Sequence, residues 1–171
     1  RDDLRANEVT RDTETMSMSL SYLGDQETSP LGYPAKSITY YHSKPNALRG
    51  DEIADYVSNF TLTGKTIDNT YYKYGDGMQR ADYTTTFTDD PLTLTETWSY
   101  DNGLGADDVL KTESYYTGFK GEERVDHSFS YLHNDQTDED IRIQRTEYVY
   151  HPDDRTNYTA TYDIRGLTDP T

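Results

Sequence analysis

The chain contains no cysteine, and this absence excludes several kinds of protein. Without cysteine there is no disulfide framework, no thiol nucleophile and no cysteine-bound zinc. Long apolar runs are also missing, since no stretch of the sequence approaches the roughly 20 apolar residues that a membrane-spanning helix needs. The sequence therefore predicts no membrane span.

Basic residues are scarce. The chain has 16 Lys and Arg against 32 Asp and Glu, which gives a net charge of −16. A protein that binds nucleic acid presents a basic face to the phosphates. The charge therefore predicts that nucleic acid is not a partner.

Aliphatic residues are few as well, because Leu, Ile, Val and Phe make up only 27 of the 171 residues. This composition combined with high net charge is typical of disordered chains. Seventeen Tyr and one Trp compensate, since an aromatic ring buries a large face while its polar tip reaches water. We expect a thin, ring-rich core in a single β domain over 13–171, preceded by a charged tail over 1–12.

Strict alternation of side-chain type is the clearest signal in the sequence. Apolar and hydroxyl residues alternate from Met16 to Tyr22 and again from Leu92 to Tyr100, where Glu96 takes one of the apolar positions. A period of two is typical of a strand with one buried face. Similar runs begin near Ser37, Val57, Tyr71, Ala81, Val109, Val125, Ile141 and Asn157.

Turn-forming residues separate these runs, for example Gly75-Asp76-Gly77, Gly118 to Glu122 and His133 to Asp138. Most turns lie about 12 to 20 residues apart, which suits hairpins and is too short for crossover helices. The sequence predicts an all-β antiparallel hairpin meander of about nine to ten strands, built either as an elongated sheet or as an up-and-down barrel. The only helical candidate is Asp51 to Ser58, which follows Gly50.

Charged residues interrupt the more apolar face of the predicted strands. They are Glu96, Lys111, Glu113, His127, Arg145 and Glu147. In an open sheet they are cross-strand ion pairs. In a closed barrel they meet in a polar interior near Trp98, His127 and Arg145, where a small ligand could bind and Glu113, His127 and Glu147 could act as acid and base.

Rings on the same face make a binding role the leading prediction. Trp98, Tyr100, Tyr115, Tyr131 and Arg145 are the candidate ligand-binding residues, because aromatic and arginine side chains are enriched at contact surfaces. No phosphate loop, no G-x-S-x-G and no Ser-His-Asp spacing is present, so no catalytic residue is assigned in this interpretation. The sequence favours a non-catalytic module that contacts carbohydrate or protein, and its sheet edges could also self-associate.

Metal binding has little support in the sequence. The four histidines, at 42, 127, 133 and 151, show no H-E-x-x-H or paired spacing, so we expect no zinc. Acidic clusters at Asp107-Asp108, Asn134-Asp135 and Asp138-Glu139-Asp140 offer oxygen ligands of the kind that calcium takes, but none forms a D-x-[DN]-x-[DN]-G loop. We expect no cofactor, with calcium as the alternative.

Tyrosine recurs just before predicted turns. The segments are Tyr74-Gly75-Asp76-Gly77, Tyr100-Asp101-Asn102-Gly103-Leu104, Tyr150-His151-Pro152-Asp153-Asp154-Arg155 and Tyr162-Asp163-Ile164-Arg165-Gly166-Leu167-Thr168. Over about the last 100 residues the chain resembles the YD (RHS-type) repeat family, whose unit is roughly Tyr-Asp-x-x-Gly-Arg-Leu. Only Tyr100-Asp101 and Tyr162-Asp163 keep the dipeptide, and Arg165-Gly166 reverses the Gly-Arg order.

The resemblance implies β-hairpins side by side in a long sheet or shell on an exported protein. The composition agrees with that expectation, because the chain combines abundant Thr, Tyr and Asp with no cysteine. We therefore expect an extracellular or cell-surface location, with the periplasm as an alternative.

Overall fold

A computed structural model of the chain describes residues 15–22, 35–44, 48–81, 89–99, 108–151 and 156–165. Within these ranges the regular structure is entirely strand, which confirms the all-β prediction. The strands are β1 Met18–Tyr22, β2 Ala35–His42, β3 Ile53–Phe60, β4 Thr66–Tyr74, β5 Gln79–Arg80, β6 Leu92–Ser99, β7 Val109–Thr117, β8 Arg124–Asn134, β9 Glu139–Tyr150 and β10 Thr156–Asp163. The predicted tail over 1–12 and Tyr100 lie outside the described residues.

The strands are arranged as antiparallel hairpins in two compact units, residues 1–90 and 91–171. In unit 1 the order is β1-β2-β3-β4, with β5 paired to β4; in unit 2 it is β6-β7-β8-β9-β10. The predicted meander is confirmed. The barrel alternative is wrong, because β1 and β10 each pair with a single strand among the described residues, whereas a closed barrel leaves no edge.

The helix predicted over Asp51 to Ser58 is also wrong, since most of this segment lies in β3. The strand has a partner on each side: Val57 lies opposite Thr39 of β2 and Thr70 of β4. So short a segment cannot sustain a helix without tertiary contacts. As an inner strand it satisfies its main-chain groups on both sides.

The core is thin, as the composition predicts. The fully buried apolar residues among those described are Ile53, Tyr74, Ala81, Leu94, Val109, Leu110 and Phe129. Leu132 and Ile141 lie directly opposite each other on β8 and β9, yet they remain 58% and 41% exposed. Cross-strand side-chain pairs therefore carry much of the stabilisation that a thick core supplies elsewhere.

Two of the tyrosines that precede turns have the same structural role. The hydroxyl of Tyr74, at the end of β4, donates to the main-chain oxygen of Ala54 in β3 at 2.8 Å. The hydroxyl of Tyr150, at the end of β9, donates to the oxygen of Val125 in β8 at 2.9 Å. Each hydroxyl ties the end of its strand to the main chain of the preceding strand.

Register shifts occur in both units, in pairings that include β2–β3, β6–β7 and β8–β9. A bulge places two residues of one strand opposite one residue of the other and re-aims the side chains beyond it. Simple alternation along the sequence therefore assigns side chains to faces correctly only between bulges.

Candidate functional site

One side of unit 2 carries most of the residues that the sequence singles out. Two rows of directly opposite residues cross all five strands. In strand order, the first row is Glu96, Glu113, Phe129, Arg145 and Tyr162, and the second is Leu94, Tyr115, His127, Glu147 and Ala160. We call the side defined by these two rows the polar face. The alternation predicted this grouping of the charged residues with the rings.

The Glu113 carboxylate is the centre of this face. Its Oε2 accepts hydrogen bonds from the hydroxyls of Tyr115, at 3.3 Å, and Tyr131. The same oxygen lies 3.4 Å from NH2 of Arg142. The Glu113 side chain is only 13% exposed. Three donors converge on one buried oxygen, so the carboxylate is held firmly in place.

Arg142 is the member of the site that the sequence did not reveal. Alternation along β9 puts Arg142 on the side opposite Arg145, but a register shift lies between them, since Ser130 faces Gln144 and Tyr131 faces Arg142. The bulge turns Arg142 onto the polar face. Its Nε donates to the Tyr131 hydroxyl at 2.7 Å, and its guanidinium carbon lies 4.3 Å from the centre of the Phe129 ring.

The contacts around Glu113 shift the pKa of the neighbouring side chains. Burial, followed by the hydrogen bond to Glu113, raises the pKa of Tyr131. Burial and the nearby Glu113 charge raise the pKa of Tyr115. The hydrogen bond to the Tyr131 hydroxyl raises the pKa of Arg142. Both phenols therefore lose their protons at a higher pH than an ordinary tyrosine does, and Arg142 carries its charge at neutral pH.

The three residues considered for acid–base chemistry are already engaged by other groups. The His127 ring stacks on Tyr115 at 4.7 Å and 8°, and its Nδ1 lies 2.8 Å from Oδ2 of Asp126. The Glu147 carboxylate lies 3.2 Å from NH2 of Arg145. Glu113 likewise contacts Arg142, so each of the two carboxylates lies beside an arginine.

Trp98 lies two residues beyond Glu96 on β6, opposite Leu110. Its indole Nε1 donates to Oε2 of Glu96 at 3.4 Å. A register shift at this point leaves Lys111 as an extra residue with an exposed side chain. The enclosed interior expected around Trp98 depended on barrel closure and is not formed by these open strands.

Unit 1 contains a row of rings of its own. Tyr40, Tyr56 and Tyr71 lie directly opposite one another on β2, β3 and β4. The Tyr40 and Tyr56 rings are stacked, with centres 4.4 Å apart, and the Tyr56 and Tyr71 centres are 5.7 Å apart. We call these three residues the tyrosine ladder.

The side chain of Arg80, in β5, packs against the tyrosine ladder. The guanidinium carbon of Arg80 lies 4.8 Å from the centre of the Tyr71 ring. Arg80 also binds Asp55 with two hydrogen bonds, from Nε at 2.9 Å and from NH2 at 2.5 Å. Asp55 is the extra residue of the β2–β3 register shift, because Tyr40 faces Tyr56 and Tyr41 faces Ala54. Its side chain is 11% exposed.

Acidic side chains surround His133 at the turn between β8 and β9. Its Nδ1 lies 2.9 Å from Asp140, and its Nε2 lies 3.6 Å from Asp138 and 3.8 Å from Asp135. Even so, the described part of the chain has no group of three or more His, Asp or Glu side chains placed to hold a metal ion. Nor does it have a helix long and apolar enough to cross a membrane.

No family model matches the chain, and no curated protein matches it.

Proposed function

We propose that the protein is a non-catalytic structural and binding module of an exported or cell-surface protein, and that the polar face of unit 2 contacts its partner. The observation that carries this proposal is the arrangement around Glu113, in which rings and guanidinium groups are fixed in place on an open sheet. Tyr, Trp and Arg are enriched where proteins meet partners, because rigid side chains lose little entropy on binding. The composition and the YD-repeat resemblance favour export.

The ring geometry favours a protein partner. Tyr115 and His127 cover one face of each other, and Arg142 lies over Phe129. Flat ring faces are thus partly occupied within the molecule, while a protein surface can also use ring edges, hydroxyls and guanidinium groups.

A carbohydrate is the second candidate, and Trp98 is the observation that favours it. Within the described ranges Trp98 stacks on no other ring, and it is half-buried beside the carboxylate of Glu96. A sugar ring could lie on the indole while its hydroxyls bond to that carboxylate.

Two substitutions separate the candidates. The full chain is immobilised and probed with a secreted-protein fraction and with a polysaccharide panel. Arg142→Gln should abolish retention of a protein partner, whereas Trp98→Leu should abolish retention of a polysaccharide. Lys111→Gln is the matched control, since it removes an exposed charge from β7. If both variants retain everything that the wild type retains, the polar face is not a binding surface.

A further inference from the structure

The outer edge of β10 lacks the features that normally protect a sheet edge. Edge strands usually carry charges or proline that block pairing with another chain. In β10, Thr156–Asp163, the only charged residue is Asp163, and proline is absent. The neighbouring strand β9, by comparison, contains Glu139, Asp140, Arg142, Arg145 and Glu147. Among the described residues no strand pairs with this edge.

The sequence of β10 is also symmetric. Residues 158–162 read Tyr-Thr-Ala-Thr-Tyr, a palindrome centred on Ala160. In an antiparallel pair of identical strands with the two-fold axis at Ala160, Tyr158 faces Tyr162 of the second copy, and Thr159 faces Thr161 of the second copy. Every residue of the palindrome then faces its own kind, so the contacts on the two sides of the axis are matched in residue type.

The main chain of β10 is oriented to make this pairing. The Ile164 N–H donates to the Ile143 oxygen at 3.0 Å, so Ile164 directs its main-chain groups toward β9. Because direction alternates along a strand, Thr159 and Thr161 direct theirs outward. The hydroxyls of Thr161 and Thr146 lie 3.0 Å apart, which agrees with a non-hydrogen-bonded pair on the β9 side, where side chains approach closely.

The side chains of β10 also suit this pairing of two copies. Tyr158 and Tyr162 are 57% and 50% exposed. In the two-fold arrangement their rings form aromatic pairs between copies, of the kind that stabilise antiparallel sheets. Ala160 falls in a non-hydrogen-bonded pair, where Cα atoms lie about 4.5 Å apart and a small side chain fits best.

We infer that two copies of this chain associate through β10, antiparallel and with the two-fold axis at Ala160. The two Thr159–Thr161 pairs supply about four main-chain hydrogen bonds. Each copy carries a charge of −16, so added salt should strengthen the dimer by screening the repulsion. A contact of one strand is smaller than a standard interface, so the dimer should be weak. This inference extends the binding role proposed above and stands or falls separately from it, because neither Arg142 nor Trp98 lies on β10.

Paired charge substitutions test the register directly by sedimentation equilibrium of the full chain. Combining Thr159→Lys with Thr161→Lys places like charges opposite each other twice, and the dimer should weaken about tenfold or more. Combining Thr159→Lys with Thr161→Glu places opposite charges together twice, and the dimer should be at least as strong as that of the wild type. Both variants lose the Thr146–Thr161 hydroxyl contact, so the effect of that loss is the same in the two.

A second measurement uses the absence of cysteine. Ala160→Cys gives a chain with one thiol, and two such thiols meet at the axis within the range that a disulfide spans. Mild oxidation should give a covalent dimer much faster than for Thr63→Cys, which places the thiol in an exposed turn. The inference is overturned if Ala160→Cys and Thr63→Cys form covalent dimers equally fast, or if the two charge variants dimerise equally strongly. It is also overturned if the wild type stays monomeric in concentrated, high-salt solution.

Discussion

Unit 1 and unit 2 each place a carboxylate and an arginine among aromatic rings, but the rings have different roles. In unit 1 the Asp55 carboxylate binds Arg80 directly, and Arg80 lies over a ring of the tyrosine ladder. In unit 2 the hydroxyls of two tyrosines point at Glu113, and one of them also accepts a hydrogen bond from Arg142. In unit 1 the arginine of the ion pair contacts the faces of the rings, whereas in unit 2 the hydroxyls of the rings also bond to the carboxylate and the arginine.

This difference shows how a sheet with few aliphatic residues can hold charges in place. Burying a charge is unfavourable unless it is paired and hydrogen-bonded. Unit 1 meets that requirement with a two-bond ion pair, and unit 2 meets it with a network shared by several groups. The simpler pair depends more on each partner, because a network keeps some of its bonds when one member is lost.

The largest expected effect follows from breaking the ion pair of unit 1. Asp55→Ala removes the carboxylate that accepts two hydrogen bonds from Arg80, at a site where the Asp55 side chain is 11% exposed and the Arg80 side chain 32% exposed. We expect a loss of about 3 kcal/mol in the free energy of unfolding, measured in urea. Asp76→Asn is the control, because Asp76 lies exposed in the turn after β4 and should change stability by less than about 0.5 kcal/mol. Equal losses in the two variants would contradict the role of the pair.

A smaller effect is expected from the network of unit 2. Glu113→Gln removes the charge while Arg142 keeps its bond to the Tyr131 hydroxyl. We expect a loss of about 1.5 kcal/mol, less than for Asp55→Ala. The substitution should also lower the pKa of Tyr131 and Tyr115 toward the ordinary tyrosine value, because the carboxylate raises both.

Ultraviolet titration of the phenols measures this change in pKa directly. Glu139→Gln serves as the control, since this glutamate is exposed at the start of β9. Tyrosine titration curves that are identical in wild type and Glu113→Gln would show that the carboxylate does not hold the phenols.

The middle ring of the tyrosine ladder should matter less. Tyr56→Leu removes the stack on Tyr40 and the contact with Arg80. We expect a loss of about 1 kcal/mol beyond that of Tyr56→Phe, which keeps the ring and removes only the hydroxyl. Unfolding in urea compares the two variants. Equal stability would show that ring stacking contributes nothing in unit 1.

The smallest effect concerns pH. The hydrogen bond to Asp140 raises the pKa of His133, helped by the charges of Asp140, Asp135 and Asp138. A raised folded-state pKa gives stability that is complete below the unfolded value of about 6.5 and is lost as the pH rises through the folded value. The stability difference between the wild type and His133→Gln should therefore be larger at acidic pH and shrink as the pH rises above that value.

Titration of the imidazole by nuclear magnetic resonance gives the pKa independently, and urea unfolding at several pH values gives the stability difference. A difference that grows with rising pH would have the wrong sign for this account.

Alternation and turn chemistry determined the strands, their antiparallel hairpin order and the grouping of Glu113, His127, Arg145 and Glu147 on one face. These features depend on neighbours along the chain, because side chains alternate every two residues and turns require particular residues. The helix predicted over Asp51 to Ser58 shows the limit of such reasoning, since only the pairing of β3 with two strands decided that segment.

Tertiary structure alone decided the rest. Whether the strands closed into a barrel, and where each bulge fell, depended on pairing between distant segments. The bulges put Arg142 beside Tyr131 and made Asp55 the extra residue of its pair of strands, and neither position follows from the alternation. One extra residue reverses the face of every side chain beyond it, so the composition of the polar face is set by register, which the sequence of a single strand does not contain.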